Sequence, residues 1–244
     1  MTKLNLDFDK YEKKGLYLIF NDLSHLELTE DRIDELTEKY WNDPAKIPAS
    51  VKEAFGFKRC PFCPSQKEGG ICDALHPILP FLEIVDRYVS YDPVVAVYKG
   101  HRKGLLRVAD SKMQDALVYL STLSLIDFCR SAARYRKYYY GVTPLMSAKE
   151  TSARIYLNIF WEKKGDKAQI DAFLAEFKQL LKVTAENQIK RLSLICKNDV
   201  FVNAIAKAQI VTEFLSLDYD KLLEESFRNI ENENKLKYTC EEDQ

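Results

Sequence analysis

The chain has 244 residues and a formal net charge of −1, with 46% hydrophobic and 30% charged residues. This composition is ordinary for a globular protein, and the near-zero charge excludes a general electrostatic attraction to nucleic acid or to a membrane surface. No apolar run approaches the roughly 20 residues needed to span a bilayer. The first residues lack the basic head and apolar core of a signal peptide, so we expect a cytoplasmic protein.

The N-terminal segment has the patterns of a small sheet followed by a helix. Apolar residues alternate with polar ones in its first stretch, which indicates a strand with one buried face. Thr29 is a good N-cap residue, and two acidic residues follow it in the first turn. The predicted elements are strands at 4–8, 15–20 and 24–28, a hairpin loop at 9–14, and a helix from Thr29 to the prolines at 44 and 48.

The remainder of the chain changes from alternating to helical spacing. Pro77 is well placed to begin a helix whose apolar face is Ile78, Phe81, Leu82, Val85 and Val89. The predicted elements after it are paired strands at 93–98 and 105–108, a long helix from Ser111 to Tyr140, and helices at 147–163, 166–195, 198–216 and 219–231.

These patterns predict an α+β fold that is mostly α-helical. It would combine an N-terminal β-hairpin region, a cysteine-rich metal-binding loop and a C-terminal helical bundle. We divide the chain into residues 1–56, a hairpin plus helix, and residues 57–244, a predominantly helical metal-binding domain. A single continuous domain is the alternative.

The cysteines cluster in one stretch, which begins Cys60-Pro61-Phe62-Cys63-Pro64. Two thiols separated by two residues have the knuckle spacing that places both sulfurs on one metal ion. Cys72 follows after a Gly-Gly pair that lets the chain fold back, so three sulfurs are expected to converge. The alternatives are a reduced cysteine-lined turn without an ion and a reactive dithiol.

Local spacing offers His76 as a fourth ligand. Cys72 and His76 are four residues apart and would lie on one face of a helical turn. The simpler interpretation is that His76 only precedes the helix that Pro77 begins.

Several short motifs together resemble a family of uncharacterised bacterial proteins with a Cys-Pro-x-Cys-Pro motif, and the likeness covers most of the chain. It departs after the fourth cysteine, where the family has Ser-Gly-Cys-Pro and this chain has Asp127-Phe128-Cys129-Arg130. The matching elements are Cys60-Pro61-Phe62-Cys63-Pro64, Cys72-Asp73-Ala74-Leu75, Ser90-Tyr91-Asp92-Pro93-Val94, Gln114, Cys129 and Pro144-Leu145-Met146-Ser147-Ala148-Lys149-Glu150-Thr151.

The resemblance implies that Cys129 is the fourth metal ligand, and we prefer it to His76 on that ground. From the residues alone, Cys129 would be an ordinary buried cysteine of a helix. Four thiolates suit zinc and an iron–sulfur cluster equally well. The pattern shows no open coordination position, which favours a structural centre over metal catalysis.

Three basic residues recur at helical spacing among tyrosines and would form a basic stripe: Arg130, Arg134 and Lys137. Such a surface could bind single-stranded nucleic acid by stacking and phosphate contacts. We favour the simpler interpretation, a solvated basic face that balances the acidic N-terminal segment.

The sequence therefore favours a non-enzymatic metal-binding interaction or regulatory protein, and it identifies no catalytic residues. The alternatives are a redox- or metal-sensing protein that uses the four cysteines, and a nucleic-acid-binding module that uses residues 130–140. A protein partner and the oligomeric state are left open, and neither a membrane nor nucleic acid is expected as a partner.

Overall fold

The computed structural model describes residues 11, 13–57, 59–64, 72–100 and 105–215. In this part of the chain a four-stranded antiparallel sheet precedes most of the helices, which confirms the mostly helical α+β class. The strands, in the sheet order β2-β1-β3-β4, are β1 (Gly15–Ile19), β2 (His25–Thr29), β3 (Pro93–Lys99) and β4 (Leu106–Lys112).

The sheet is centred on β1, whose five residues are all buried. Leu16 and Leu18 face the main core, which the helices share. Tyr17 and Ile19 alternate with them and pack against Tyr11 and Val97 on the opposite face. Both faces of β1 are thus covered, so the strand anchors the sheet in the fold.

Eight α-helices are described, and side-chain caps define the start of several. Thr29 accepts a hydrogen bond from the backbone N–H of Arg32, as its position in the sequence predicts. Ser147 and Glu150 form a reciprocal capping box at the start of a later helix. The helices are α1 (Glu30–Asn42), α2 (Ala49–Gly56), α3 (Leu82–Val85), α4 (Met113–Ala116), α5 (Val118–Thr122), α6 (Ala148–Glu162), α7 (Lys167–Leu192) and α8 (Val200–Phe214).

In the helical layer, α8 contacts α4, α5, α6 and the long helix α7. The buried residues of α7 include Phe177 and Leu181, and α8 packs along it. The ring of Tyr135 stacks on that of Phe177 at a centroid distance of 4.5 Å. The sheet, α7 and α8 share one continuous apolar core.

Most predicted elements are confirmed within a few residues. These are the strands at 15–20, 24–28, 93–98 and 105–108, the helix that Thr29 caps, and the helices at 147–163, 166–195 and 198–216. The predicted strand at 4–8 and the helix at 219–231 lie outside the described residues, as do residues 9, 10 and 12 of the predicted hairpin loop. In the described sheet, β1 pairs with β2 and with β3.

The predicted helix from Pro77 was wrong in its extent. Ile78, Phe81, Leu82 and Val85 are buried as expected, but the chain forms a short 3-10 helix (Leu79–Phe81) and then α3. Val89 lies beyond α3 and is 54% exposed. The apolar spacing identified the buried face correctly, because a series of short turns can present the same face as one helix.

The predicted helix from Ser111 to Tyr140 was also wrong. Ser111 belongs to β4, and the chain then forms α4, α5, a π-helical turn (Leu123–Asp127) and a separate 3-10 helix (Arg130–Tyr139). The segments Met113–Asp127 and Arg130–Tyr139 meet at an angle of 117°. In the second segment the buried side chains are Ala132, Tyr135 and Tyr138. Their spacing of three residues matches the period of a 3-10 helix, in which residues i and i+3 share a face.

Among the residues that the structure describes, no single helix has the length and apolar character needed to cross a membrane. The bent pair Met113–Asp127 and Arg130–Tyr139 meets that requirement only when its two arms are taken together.

Gly15 provides a test of the sheet. Its φ of +145° disfavours a side chain, and a Cβ there would lie 2.4 Å from the Cα of Thr29. Gly15→Ala should therefore lower the free energy of unfolding by about 1–3 kcal/mol or more. Urea denaturation followed by circular dichroism measures this change.

Gly56→Ala is the matched control, since a Cβ at that helical position meets no atom within 4 Å. It should leave stability unchanged or raise it by about 0.5–1 kcal/mol. Equal effects of the two substitutions would contradict the described pairing of β1 with β2.

Candidate metal centre

Four cysteines line a single cavity of about 30 Å³. They are Cys60, Cys63, Cys72 and Cys129, which are four of the five cysteines that the structure describes. A volume of this size has room for at least one water-sized body. The sulfurs that the sequence singled out therefore surround a common space, although they come from distant parts of the chain.

The first two cysteines lie in a tight turn that follows α2. The backbone N–H of Cys63 donates to the carbonyl of Cys60 at 3.0 Å. Cys60 is 7% exposed, and Cys63 is half-buried. This turn brings both thiols to the same end of the cavity, as the spacing of two residues predicts.

Cys72 and Cys129 occupy equivalent local positions. Each directly precedes a 3-10 helix, Asp73–Leu75 for Cys72 and Arg130–Tyr139 for Cys129. In each case the cysteine carbonyl accepts a hydrogen bond at 3.0 Å from the backbone N–H three residues later. Both thiols therefore lie at the positive end of a short helical segment, where backbone N–H groups favour a negative charge.

The pKa values of these two thiols are raised, mainly because burial disfavours the thiolate. Burial raises the pKa of Cys129 to about 11, although the backbone N–H groups of Ala132 and Ser131 act in the opposite direction. Burial also raises the pKa of Cys72, while the charge of Arg191 lowers it. Without a bound cation, both groups are neutral thiols at physiological pH.

The four thiols are also electrostatically coupled. Negative charge on Cys60 and on Cys63 raises the pKa of Cys72. Negative charge on Cys72 and on Cys60 likewise raises the pKa of Cys129. A cation between such thiolates would offset this repulsion.

Two side chains of α7 donate hydrogen bonds to the sulfurs. Nη1 of Arg191 lies 3.2 Å from Sγ of Cys72, and Nε of the same guanidinium donates to the carbonyl of Phe57 at 2.6 Å. Nδ2 of Asn187 lies 3.6 Å from Sγ of Cys60. Arg191 is only 1% exposed, so its charge lies within the protein.

A buried hydroxyl connects the walls of the cavity. Ser124, in the π-helical turn, donates to the carbonyl of Ala74, and it lies 3.0 Å from Oε1 of Gln188 on α7. Ala74 and Gln188 both line the cavity. The π-helical turn thereby fixes the segment after Cys72 against α7.

The sulfurs surround the cavity more loosely than a metal ion requires. Within the described ranges, no group of three or more His, Cys, Asp or Glu side chains stands close enough together to hold an ion. Sulfurs around one zinc ion lie roughly 3.8 Å apart, given Zn–S bonds of about 2.3 Å. Four thiols are a suitable set of ligands for a soft metal ion. Binding would have to bring the sulfurs closer together than they are in this structure.

His76, the alternative fourth ligand, lies in the apolar core and is 2% exposed. Burial lowers its pKa to about 4, so it is a neutral imidazole at physiological pH. The described lining of the cavity includes Cys129 and does not include His76.

Each residue of the predicted basic stripe forms an ion pair. Arg130 pairs with Asp73, Arg134 with Glu176, and Lys137 with Glu162. Of the interleaved tyrosines, Tyr135 and Tyr138 are buried and could not stack on bases, whereas Tyr140 is exposed. This arrangement favours the interpretation of the stripe as a charge-balanced surface over nucleic-acid binding.

Comparison with known proteins adds no assignment, because no protein-family model, no curated protein and no solved structure matches this chain. The resemblance to a bacterial family with a Cys-Pro-x-Cys-Pro motif therefore stays a prediction, as does the choice of ligand set that it implies.

Sequence reasoning missed the contribution of α7. Thr184, Gln188 and Arg191 line the cavity, and the spacing of four and then three residues places them on one helical face. Polar residues recurring on the buried face of an otherwise apolar helix were the available signal.

The burial of His76 can be tested through the pH dependence of protein stability. The pKa is about 4 in the folded state against an ordinary 6.5, so between these values the unfolded chain gains a proton that the folded protein does not. The free energy of unfolding is therefore highest above pH 6.5, where His76 is neutral in both states, and it decreases as the pH falls towards 4. The loss is about 1.4 kcal/mol per pH unit.

Urea unfolding of the wild type and His76→Gln across this pH range measures the difference. The wild type should lose stability more steeply than the variant as the pH falls. Parallel pH profiles for the two proteins would show that His76 is not buried as a neutral group.

Proposed function

We propose that the protein is a non-enzymatic metal-binding protein in which Cys60, Cys63, Cys72 and Cys129 together hold a metal centre. The observation that carries this proposal is the convergence of four of the five described cysteines on one cavity. A set of four thiolates is typical of structural metal sites, since it leaves no coordination position for substrate.

A single zinc ion is the simpler occupant of this site. It needs only the four protein thiolates, whereas a cluster also brings several iron and sulfide atoms. Around one zinc ion the sulfurs would have to draw together to roughly 3.8 Å, given Zn–S bonds of about 2.3 Å.

The raised pKa of Cys129 argues against a nucleophilic role for this thiol. Nucleophilic and redox-active cysteines have lowered pKa values and are accessible to solvent. Cys129 has a pKa of about 11 and is 7% exposed, so it has neither property. A bound cation would deprotonate such a thiol, so its burial is compatible with a closed metal site.

The centre would act as a clip between distant parts of the fold. Cys60 and Cys63 follow α2, Cys72 directly precedes the Asp73–Leu75 3-10 helix, and Cys129 lies at the bend before the Arg130–Tyr139 helix. A metal held by all of them would couple the cysteine loop to the helical layer, so metal loss would loosen both. An interaction or regulatory role would follow if metal binding controlled whether the cysteine loop is held against the helical layer.

Substitution of single cysteines tests the ligand set. In protein purified without oxygen, Cys129→Ser should lose the metal or bind it much more weakly, because one of four ligands is removed. Mass spectrometry of the elements measures metal per chain. A colourless zinc protein is expected, and a brown one would indicate iron and sulfide.

Cys196→Ser is the matched control, since Cys196 is the one described cysteine that does not line the cavity. It should retain the full metal content, as should His76→Ala. Retention by Cys129→Ser together with loss by His76→Ala would identify a Cys-Cys-Cys-His site instead. Wild-type protein without any metal would refute the proposed function.

A further inference from the structure

Basic side chains lie beside the cysteines of the cavity. Its lining includes Arg59, Arg130 and Arg191, together with the carboxylate of Asp73. Positive charge next to a sulfur favours the thiolate, which is the form that ligates a metal.

The charge of Arg191 is the one held most deeply. Arg130 pairs with Asp73, and its side chain is 49% exposed, so solvent screens it. Arg191 is 1% exposed and directs Nη1 at the sulfur of Cys72. Burying a full positive charge is costly unless an opposite charge or strong acceptors lie nearby.

The guanidinium is also held in a fixed orientation. Its Nε donates to the carbonyl of Phe57, which follows the last residue of α2. One planar group therefore joins the end of α2 to the cysteine that begins the Asp73–Leu75 helix. Asn187, one helical turn earlier on α7, directs its amide at Cys60 and so supplies a second N–H donor.

We infer that Arg191 and Asn187 form a second layer of the metal centre, in which Arg191 is a positioning residue that orients Cys72 and balances the charge of the bound thiolates. This inference rests on the proposed metal site and extends it to residues that do not touch the metal. Hydrogen bonds from N–H groups to ligating sulfurs stabilise the thiolate form and fix its direction.

The test compares Zn²⁺ affinity in the wild type and in Arg191→Met, measured by competition with a chromophoric chelator. Methionine keeps much of the length of the side chain and removes the charge and the N–H donors. Loss of an outer-layer partner typically costs about 10–100-fold in metal affinity, and we expect a reduction in this range. Arg191→Lys should recover part of it, because lysine restores the charge without the planar group.

Co²⁺ substitution gives a readout that a merely structural role would not change. The cobalt complex of the wild type should show the sulfur-to-metal charge-transfer absorption of four thiolates. In Arg191→Met this absorption should be weaker or shifted at full cobalt loading, because Cys72 is no longer held towards the metal. Asn187→Leu should produce a smaller change in the same direction, and it serves as the second variant if Arg191→Met does not fold.

Arg136→Met is the control, since Arg136 also donates from Nε to a backbone carbonyl, that of Ile126, but does not line the cavity. It should bind Zn²⁺ with wild-type affinity. If the wild type binds metal and Arg191→Met or Asn187→Leu binds it equally well with the same cobalt spectrum, the second layer is refuted and the metal site stands. If the wild type binds neither ion, both proposals fail.

Discussion

The buried guanidinium of Arg191 connects three parts of the structure that are distant in sequence. It lies on α7, donates to the carbonyl at the end of α2, and points at the sulfur of Cys72. Because a charge that is 1% exposed must keep its acceptors, these three segments have to remain in register. The cysteine cavity forms at their junction, so the same constraint that organises the fold also shapes the candidate site.

The bend after the π-helical turn forms the remaining wall of the cysteine cavity. If residues 111–140 formed one straight helix, Cys129 would lie in its interior and Arg130–Tyr139 would extend beyond the core. Instead the chain turns by 117°, and Cys129 occupies the corner with its carbonyl and thiol at the start of a new helix. Ser124 ties this turn to Ala74 and Gln188, which line the same cavity. Irregular backbone of this kind frequently occurs at functional sites.

Local patterns were sufficient to predict the four described strands and four of the eight described α-helices. They did not predict the pairing of β1 with β3, and long-range packing explains what they missed. Aromatic and branched residues predicted β1, and Thr29 predicted the start of α1, since these signals depend on neighbouring residues. The bend at Cys129 was missed because a buried spacing of three residues resembles an α-helical stripe over short lengths. The Cys60–Cys63 turn could be identified from spacing alone, whereas Cys129 entered only through a family resemblance. Arg191 was missed, because a basic residue in the last turn of a helix is usually exposed.

In the proposed metal centre, four sulfurs ligate one metal ion. X-ray absorption at the metal edge, on protein purified without oxygen, measures the identity and distance of the ligands directly. We predict a zinc edge and a single shell of four sulfurs at about 2.3 Å. A shell containing nitrogen or oxygen would contradict the four-cysteine ligand set, and iron neighbours at short distance would replace the single ion with a cluster.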